Sequence, residues 1–283
     1  MNPAQESKSR NTFGTDQIDA ALQRMAEVGF CVLRRMIPLS WVDDLKNSID
    51  AALDPNRDLG PSSNRYHMAF AEASPVLWRL ATHAPFMDYV EKVHGTSDVC
   101  LHRSAAILRT AHEPMGMWHT DHRGMVENPK VANDILNRYP MPSGSWFYLN
   151  GSHPDRSGIA VIESSHLPGW KGPEGFRLTR DGTSFNRLDQ PEDEGCQDMD
   201  VPGCVPVYAD PGDLICFAAN AFHANMATHE RRYSAGLSFR PKSIHIEAPW
   251  PLPEAARTMM AELPESVRRF ADGYVSYDGS WRG

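Results

Sequence analysis

The hexapeptide Met117-Trp118-His119-Thr120-Asp121-His122 is the most informative stretch of this sequence. Alternate residues of a β-strand point to the same face of a sheet, so a strand here would present the imidazole of His119 beside the carboxylate of Asp121. A second imidazole would complete a 2-His-1-carboxylate facial triad, which holds non-haem Fe(II) and leaves coordination positions open. His223, which follows a strand-like run at 213–218, is predicted to supply it. A chain with 12 histidines can contain His-x-Asp by chance. The ordered set of His-x-Asp, a distal His and a following Arg is more specific.

The strand predicted over residues 232–240 has one apolar face and one polar face. The apolar face is expected to pack against helices and consists of Tyr233, Ala235, Leu237 and Phe239. The polar face carries one cation, Arg232, among small residues that include Ser234. A guanidinium binds a carboxylate through two parallel hydrogen bonds, so this face suits a wet cavity that holds an anion. The alternative is that Arg231 and Arg232 form a solvated surface pair.

The bulk properties predict one globular domain, residues 15–283, after a flexible tail, residues 1–14. The chain has 283 residues, 41% of them hydrophobic, and a formal net charge of -8. That charge argues against binding to nucleic acid or an anionic membrane, and a small-molecule substrate is expected instead. The polar N-terminus and five scattered cysteines, without a Cys-x-x-Cys pair, indicate a reduced cytoplasmic protein. No feature of the sequence indicates an oligomeric state.

Helical patterns occupy the first 95 residues and residues 253–272, whereas short strand-like runs separated by Gly and Pro turns fill residues 97–240. This pattern is typical of a β sandwich or barrel, so we expect a mainly β core with flanking helices. Two long connections, 124–143 and 166–203, are expected to be lid loops. Three aromatic residues of the second connection are expected to fold inward over the metal site: Trp170, Phe176 and Phe185.

Four sequence blocks, taken in order, resemble the phytanoyl-CoA dioxygenase family, which includes ectoine hydroxylase. The blocks are residues 118–121 (Trp-His-Thr-Asp), 158–166 (Gly-Ile-Ala-Val-Ile-Glu-Ser-Ser-His), 211–214 (Pro-Gly-Asp-Leu) running into 222–223 (Phe-His), and 232–234 (Arg-Tyr-Ser). These motifs lie between residues 118 and 240, while the general layout of the family covers roughly residues 18–245.

The resemblance implies a double-stranded β-helix (jelly-roll) core with Fe(II) at its open end, and 2-oxoglutarate and O₂ as cosubstrates. It implies that His119, Asp121 and His223 bind the iron and that Arg232 binds the C5-carboxylate of 2-oxoglutarate. Further cosubstrate contacts are then expected from Asn225, Ser234, Arg109, Arg65 and Trp146. For the two arginines the alternative is a surface ion pair, and for the tryptophan it is a core position.

The implied reaction is hydroxylation, or a related oxidation, of an unactivated C–H bond in a small or medium metabolite. Related halogenases have a small residue in place of the ligand carboxylate, so Asp121 favours hydroxylation, desaturation or ring closure. Two alternatives remain open. One is a non-catalytic jelly-roll protein that binds a metal or ligand, and the other is a hydrolase that holds Zn²⁺ at the same three residues. Arg232 disfavours the hydrolase, which has no need for a buried cation that binds a cosubstrate.

Overall fold

The computed structural model describes residues 10–121, 136, 139, 141–191 and 195–277. Helices in these residues are Ile18–Val28 (α1), Leu39–Leu53 (α2), Ala84–His94 (α3), Glu254–Glu262 (α4) and Glu265–Arg268 (α5), with 3₁₀ turns at Phe70–Glu72 and Leu77–Thr82. Strands are Thr12–Phe13 (β1), Phe30–Leu33 (β2), Asn64–Met68 (β3), Val99–Arg109 (β4), Ser143–Tyr148 (β5), Ile159–Ile162 (β6), Phe176–Leu178 (β7), Phe185–Arg187 (β8), Cys204–Pro206 (β9), Leu214–Ala218 (β10), His223–Asn225 (β11) and Arg232–Pro241 (β12).

Two predicted segments fall largely outside the described residues. Most of the expected tail, residues 1–14, and most of the expected lid at 124–143 belong to them. At the end of the expected tail, β1 pairs in parallel with β2, so residues 12 and 13 belong to the folded domain. None of the helices that the structure describes combines the length and hydropathy of a membrane-spanning helix.

The strands form a β sandwich, which confirms the prediction of a mainly β core with flanking helices. In the described part of the chain, the major sheet has the order β1-β2-β10-β5-β12-β4-β3, and the minor sheet has the order β11-β6-β9. Apolar side chains of β2 and β10 meet those of β6 between the two sheets, among them Phe30, Ile215 and Val161. The helices cover the other face of the major sheet, where the largest apolar core lies.

Side chains of β12 alternate between these two layers, as predicted. Tyr233, Ala235, Leu237 and Phe239 belong to the core shared with the helices. Arg232 and Ser234 are fully buried on the opposite face, between the sheets. Arg231 points to the helix side with Tyr233, as the alternation requires: Nη2 is 2.7 Å from Asp50 Oδ1 and 2.7 Å from Asp54 Oδ2, and Nε donates to the hydroxyl of Tyr233 over 2.7 Å.

The connection 166–203 contains structure of its own, a hairpin of β7 and β8. Its aromatic side chains pack against Phe222 and Trp118, which lie on the outer face of the minor sheet. The expectation that Trp170, Phe176 and Phe185 fold inward over the metal site is therefore wrong. Phe222 precedes His223, so its side chain projects to the opposite side of the strand. The three aromatic rings pack on that same side, away from the metal site.

A β-bulge interrupts the pairing of β4 with β12, where Arg103 faces Ser238 and Leu101 faces Phe239. His102 is the extra residue, and its side chain is buried beside the ring of Tyr139. Burial lowers the pKa of His102 from 6.5 to about 2. The imidazole is therefore neutral in the folded protein over the whole range in which it titrates in the unfolded chain.

We predict that His102 makes the protein sensitive to acid. Between about pH 6.5 and the folded pKa, only the unfolded chain takes up this proton, so stability falls as the pH falls. On lowering the pH from 6 to 5, the free energy of unfolding of the wild type should decrease by about 1 kcal/mol more than that of His102→Leu, as measured by urea unfolding. His229→Leu, which replaces an exposed histidine, should behave like the wild type. Equal pH dependence in all three proteins would contradict the prediction.

Candidate metal centre

The side chains of His119, Asp121 and His223 converge beside β11. Residues 119 and 223 form an antiparallel bridge with N···O distances of 3.0 and 2.9 Å, so their imidazoles share one face of the sheet, with ring centroids 4.4 Å apart. Asp121 lies two residues after His119 and points to the same face. Its Oδ1 is 3.9 Å from Nε2 of His119 and its Oδ2 is 3.8 Å from Nε2 of His223.

Hydrogen bonds to backbone carbonyls orient both imidazoles. Nδ1–H of His119 donates to the carbonyl of Met117 over 2.8 Å, and Nδ1–H of His223 donates to the carbonyl of Ala221 over 3.1 Å. A carbonyl only accepts, so the proton of each neutral ring lies on Nδ1 and the lone pair lies on Nε2. Both Nε2 atoms face the Asp121 carboxylate. This arrangement is the one that metal-binding histidines adopt.

The three side chains fit a single metal ion. Two atoms that bind one ion at about 2.1 Å are at most about 4.2 Å apart. Both gaps between the carboxylate and the imidazoles are within this limit. All three ligand atoms lie within 4.8 Å of one another, so an adjustment of less than about 1 Å would bring them onto one ion. Among the residues that the structure describes, no other group of three or more His, Cys, Asp or Glu side chains is close enough to hold a metal ion.

The candidate metal centre is buried on one side and open on the other. The His223 side chain is 7% exposed, and its ring lies 4.4 Å from that of Phe217. In contrast, the side chains of His119 and Asp121 are 38% and 48% exposed. Ligands that approach the centre therefore enter from the side of residues 119–121.

Arg232 is a buried cation with unused hydrogen-bonding capacity. Its guanidinium carbon lies 4.9 Å from the ring centroid of Tyr148, and Nη1 donates to Oδ1 of Asn225 over 2.8 Å. Nε and Nη2 are buried without a hydrogen-bond partner, as is Oγ of Ser234. No carboxylate in the described residues forms an ion pair with this guanidinium. Burial lowers the pKa of Arg232 to about 10, so the side chain is still a cation at neutral pH.

Asn225 links this cation to the candidate metal centre. It lies two residues after His223 on β11, on the same face. Its Oδ1 accepts hydrogen bonds from Arg232 and also from the hydroxyl of Tyr148, over 2.9 Å. Burial raises the pKa of Tyr148, so this phenol is neutral and donates. The amide oxygen of Asn225 is thus occupied, while its NH₂ group is available as a donor.

Three other residues were predicted to contact a cosubstrate, and they do not all lie on the same face of the sheet as Arg232. They are Arg109, Arg65 and Trp146. Arg109 pairs with Arg232 across β4 and β12, but it donates to the carbonyls of Met226 and Pro114 and lies 3.4 Å from Glu113. These contacts hold the chain that leads to His119, while Nε of Arg109 is buried without a hydrogen-bond partner. Its cosubstrate contact stays a prediction.

Arg65 does not join the site, and its predicted cosubstrate contact is wrong. It pairs with Leu108, a residue of the helix-side core, so its exposed side chain lies on the face opposite Arg232. Trp146 does lie between the sheets, partly buried in their core. A Cβ at Gly236 would come within 3.3 Å of its indole, so the indole packs against β12 at Gly236.

Some contributors to the site have no signal in the sequence. The carbonyls of Met117 and Ala221 orient the imidazoles through backbone atoms, which every residue carries. Phe217 is one of 11 phenylalanines. Its contact with His223 depends on how the chain between β10 and β11 crosses from the major to the minor sheet.

Comparisons with known proteins give a match at the level of structure alone. No protein-family model matches the sequence, and no curated protein matches it. The structure of HygX from Streptomyces hygroscopicus with nickel and 2-oxoglutarate bound is 18% identical, with a TM-score of 0.59 over 78% of this chain and 86% of HygX.

Two further structures come from nogalamycin biosynthesis. The epimerase SnoN, in complex with Fe³⁺, alpha ketoglutarate and nogalamycin RO, is 15% identical, with a TM-score of 0.55 over 84% of this chain and 91% of SnoN. The non-heme alpha ketoglutarate dependent carbocyclase SnoK is 14% identical, with a TM-score of 0.56 over 83% and 93%. At these identities the likeness concerns the fold, and it confirms the predicted jelly-roll core. The resemblance to the phytanoyl-CoA dioxygenase family stays a prediction.

Proposed function

We propose that this protein is a non-haem Fe(II)- and 2-oxoglutarate-dependent oxygenase that hydroxylates a C–H bond of a small or medium metabolite. The observation that carries the proposal is the buried guanidinium of Arg232, with two unpartnered nitrogens beside the unpartnered hydroxyl of Ser234. A buried cation without a counter-ion is unfavourable. A bound carboxylate would neutralise it and would satisfy these donors at once.

The position of Arg232 relative to the metal centre suits a short dicarboxylate. Arg232 contacts Asn225, which is two residues from His223, or about 7 Å along the strand. The five-carbon chain of 2-oxoglutarate spans a distance of that order, so one carboxylate can bind Arg232 while the other end lies at the metal. HygX and SnoN, which share the fold, hold this compound together with a metal ion.

Each residue of the site then has a distinct task. His119, Asp121 and His223 hold Fe(II) from one side and leave its other positions open. Arg232 and Ser234 bind the far carboxylate of the cosubstrate, and the metal and cosubstrate, when bound, supply an O₂-dependent oxidation that releases succinate and CO₂.

The apolar rings on the closed side of the centre exclude water. Phe217 packs on His223, and Trp146 and Tyr148 line the same face of β5. Water is therefore kept from the cosubstrate, and the substrate enters from the exposed side of His119. Hydroxylation needs no group beyond those described, so we propose it ahead of the epimerisation and carbocyclisation named for SnoN and SnoK.

The charge distribution supports a small-molecule partner. With a net charge of -8 the chain suits neither nucleic acid nor an anionic membrane, and we propose that it acts in the cytoplasm.

A Zn²⁺ hydrolase would use the same three ligands, but it leaves the burial of an unpaired Arg232 without a purpose. A non-catalytic binding protein would retain both the metal and the anion site.

A metabolite screen that is scored by succinate release tests the proposal. Turnover should require Fe(II), O₂ and 2-oxoglutarate together. Hydrolysis that continues without O₂ and 2-oxoglutarate would favour the hydrolase. Stoichiometric iron binding without succinate release across the screen would favour the binding protein.

We predict that His223→Ala abolishes tight Fe(II) binding, because two ligands remain of the three that surround the ion. Affinity should fall by more than about a hundredfold, beyond the loss that is typical when a residue behind a ligand is removed. Anaerobic Fe(II) titration and succinate release measure the effect. His153→Ala is the matched control, since this histidine is exposed and distant in sequence from all three ligands. Full iron-dependent activity in His223→Ala would show that the ligand assignment is wrong.

We predict that Arg232→Ala raises the 2-oxoglutarate concentration for half-maximal succinate release by roughly a hundredfold, the usual effect of losing a charge-assisted pair. Ser234→Ala should raise it by roughly threefold to tenfold, the effect of one neutral hydrogen bond.

Arg231→Ala is the neighbouring control for Arg232. It should leave the 2-oxoglutarate requirement unchanged but lower the melting temperature, because Asp50 and Asp54 lose their shared cation. A larger cosubstrate defect in Arg231→Ala than in Arg232→Ala would overturn the assignment.

A further inference from the structure

We infer that residues 183–184 and 195–198, here called the brace, position residues 119–121 for metal binding, and that Ser184 is a positioning residue of the metal centre. The inference rests on the proposed function, since it concerns how His119 and Asp121 are held as ligands. The brace belongs to the connection 166–203, which was predicted to be a lid loop. Its contacts are directed to the backbone that carries the ligands.

Backbone hydrogen bonds hold the ligand segment on both of its sides. On one side, His119 exchanges two hydrogen bonds with His223 of β11. On the other side, N–H of Trp118 donates to the carbonyl of Cys196 and N–H of Thr120 donates to the carbonyl of Thr183, both over 2.9 Å. The two residues that flank His119 are thus bound to the brace. Without it, this segment would be an exposed edge.

Side-chain hydrogen bonds add two contacts between Trp118 and the brace. The buried hydroxyl of Ser184 donates to the carbonyl of Trp118 over 2.6 Å. The indole Nε1–H of Trp118 donates to the carbonyl of Asp198 over 2.8 Å, and its ring stacks on Phe185 at 6.0 Å. Trp118 is therefore held through its backbone N–H, its carbonyl and its side chain, so the peptide that leads into His119 has little freedom.

Gly195 shows that the brace approaches the ligand segment closely. Its φ is +63°, and a Cβ there would come within 1.9 Å of the sulfur of Met117. The carbonyl of Met117 accepts the Nδ1–H bond that orients the ring of His119. The brace therefore contacts Met117, whose carbonyl orients the imidazole of His119. It also contacts Trp118 and Thr120, the two residues that flank His119.

These contacts matter because a metal site binds well only when its ligands are held in the required geometry before the ion arrives. His223 lies in a buried strand, but His119 and Asp121 are partly exposed and lie outside any regular strand. The order of these two ligands depends on what holds their backbone. Among the described residues, β11 and the brace make the backbone hydrogen bonds to residues 118–120.

The test uses the full-length protein and Fe(II) itself. Ser184→Ala removes one hydrogen bond to the brace and little volume. Trp118→Phe removes the indole donor to Asp198 and also part of a buried ring, so Ser184→Ala is the cleaner of the two variants. Anaerobic titration should show Fe(II) binding weakened about threefold to tenfold in each variant, the effect of one lost hydrogen bond. Amide hydrogen exchange at residues 118 and 120 should accelerate before any metal is added. At saturating Fe(II), the affinity for 2-oxoglutarate should remain that of the wild type.

Ser74→Ala is the matched control, since Ser74 is also buried and forms one side-chain hydrogen bond, to Ser48 on the helix side. It should lose comparable thermal stability without a change in Fe(II) affinity. Ser184→Thr, which keeps the hydroxyl, should restore Fe(II) binding and the absorption of the Fe(II)–2-oxoglutarate complex. Wild-type Fe(II) affinity in both folded variants would overturn the brace alone, whereas a wild-type protein that binds no Fe(II) would overturn the proposed function as well.

Discussion

The antiparallel pairing of residue 119 with residue 223 is the constraint on which the candidate site depends. Two backbone hydrogen bonds join residues that are more than a hundred positions apart in the chain, and they bring the two imidazoles side by side, with their planes tilted by 54°. The alternation of side chains then directs Asp121 to the same face. Backbone carbonyls set the rings, so each Nε2 points to the carboxylate.

Polar atoms without hydrogen-bond partners are buried inside the sandwich. Arg232 and Ser234 carry three of them, next to the apolar core between the two sheets. Such groups destabilise a folded protein unless a ligand satisfies them. Tyr148 and Asn225 moderate the cost through the aromatic face and one amide oxygen. The proposed anion site would thus be formed in advance of the anion, which is how a binding site avoids reorganisation when its ligand arrives.

The two faces of the minor sheet have different roles: one carries residues of the candidate site, and the other packs against the β7–β8 hairpin. Its inner face carries His223 and Asn225, on the side of the candidate metal centre, and its outer face carries Phe222 and Ala224, which pack under the β7–β8 hairpin. A long connection that is rich in glycine and acidic residues resembles a loose loop in sequence. In the structure its aromatic side chains form a small core, and its backbone continues the hydrogen bonding of the sheet. The packing of the hairpin on the outer face therefore helps to hold the candidate ligands in position on the inner face.

The sequence alone determined the properties that depend on local alternation. The pattern of β12 predicted that Arg232 lies between the sheets and that Tyr233 lies against the helices, and His-x-Asp predicted a shared face for two side chains. These inferences hold because the two-residue period of a strand is local. Three other features depend on which strands become neighbours. They are the position of Arg65, the link from Arg232 through Asn225 to β11, and the contact of the brace with Trp118. Only the tertiary structure decided them, because the order of strands in a sheet follows from the packing of distant segments, and the same alternating pattern is compatible with many orders.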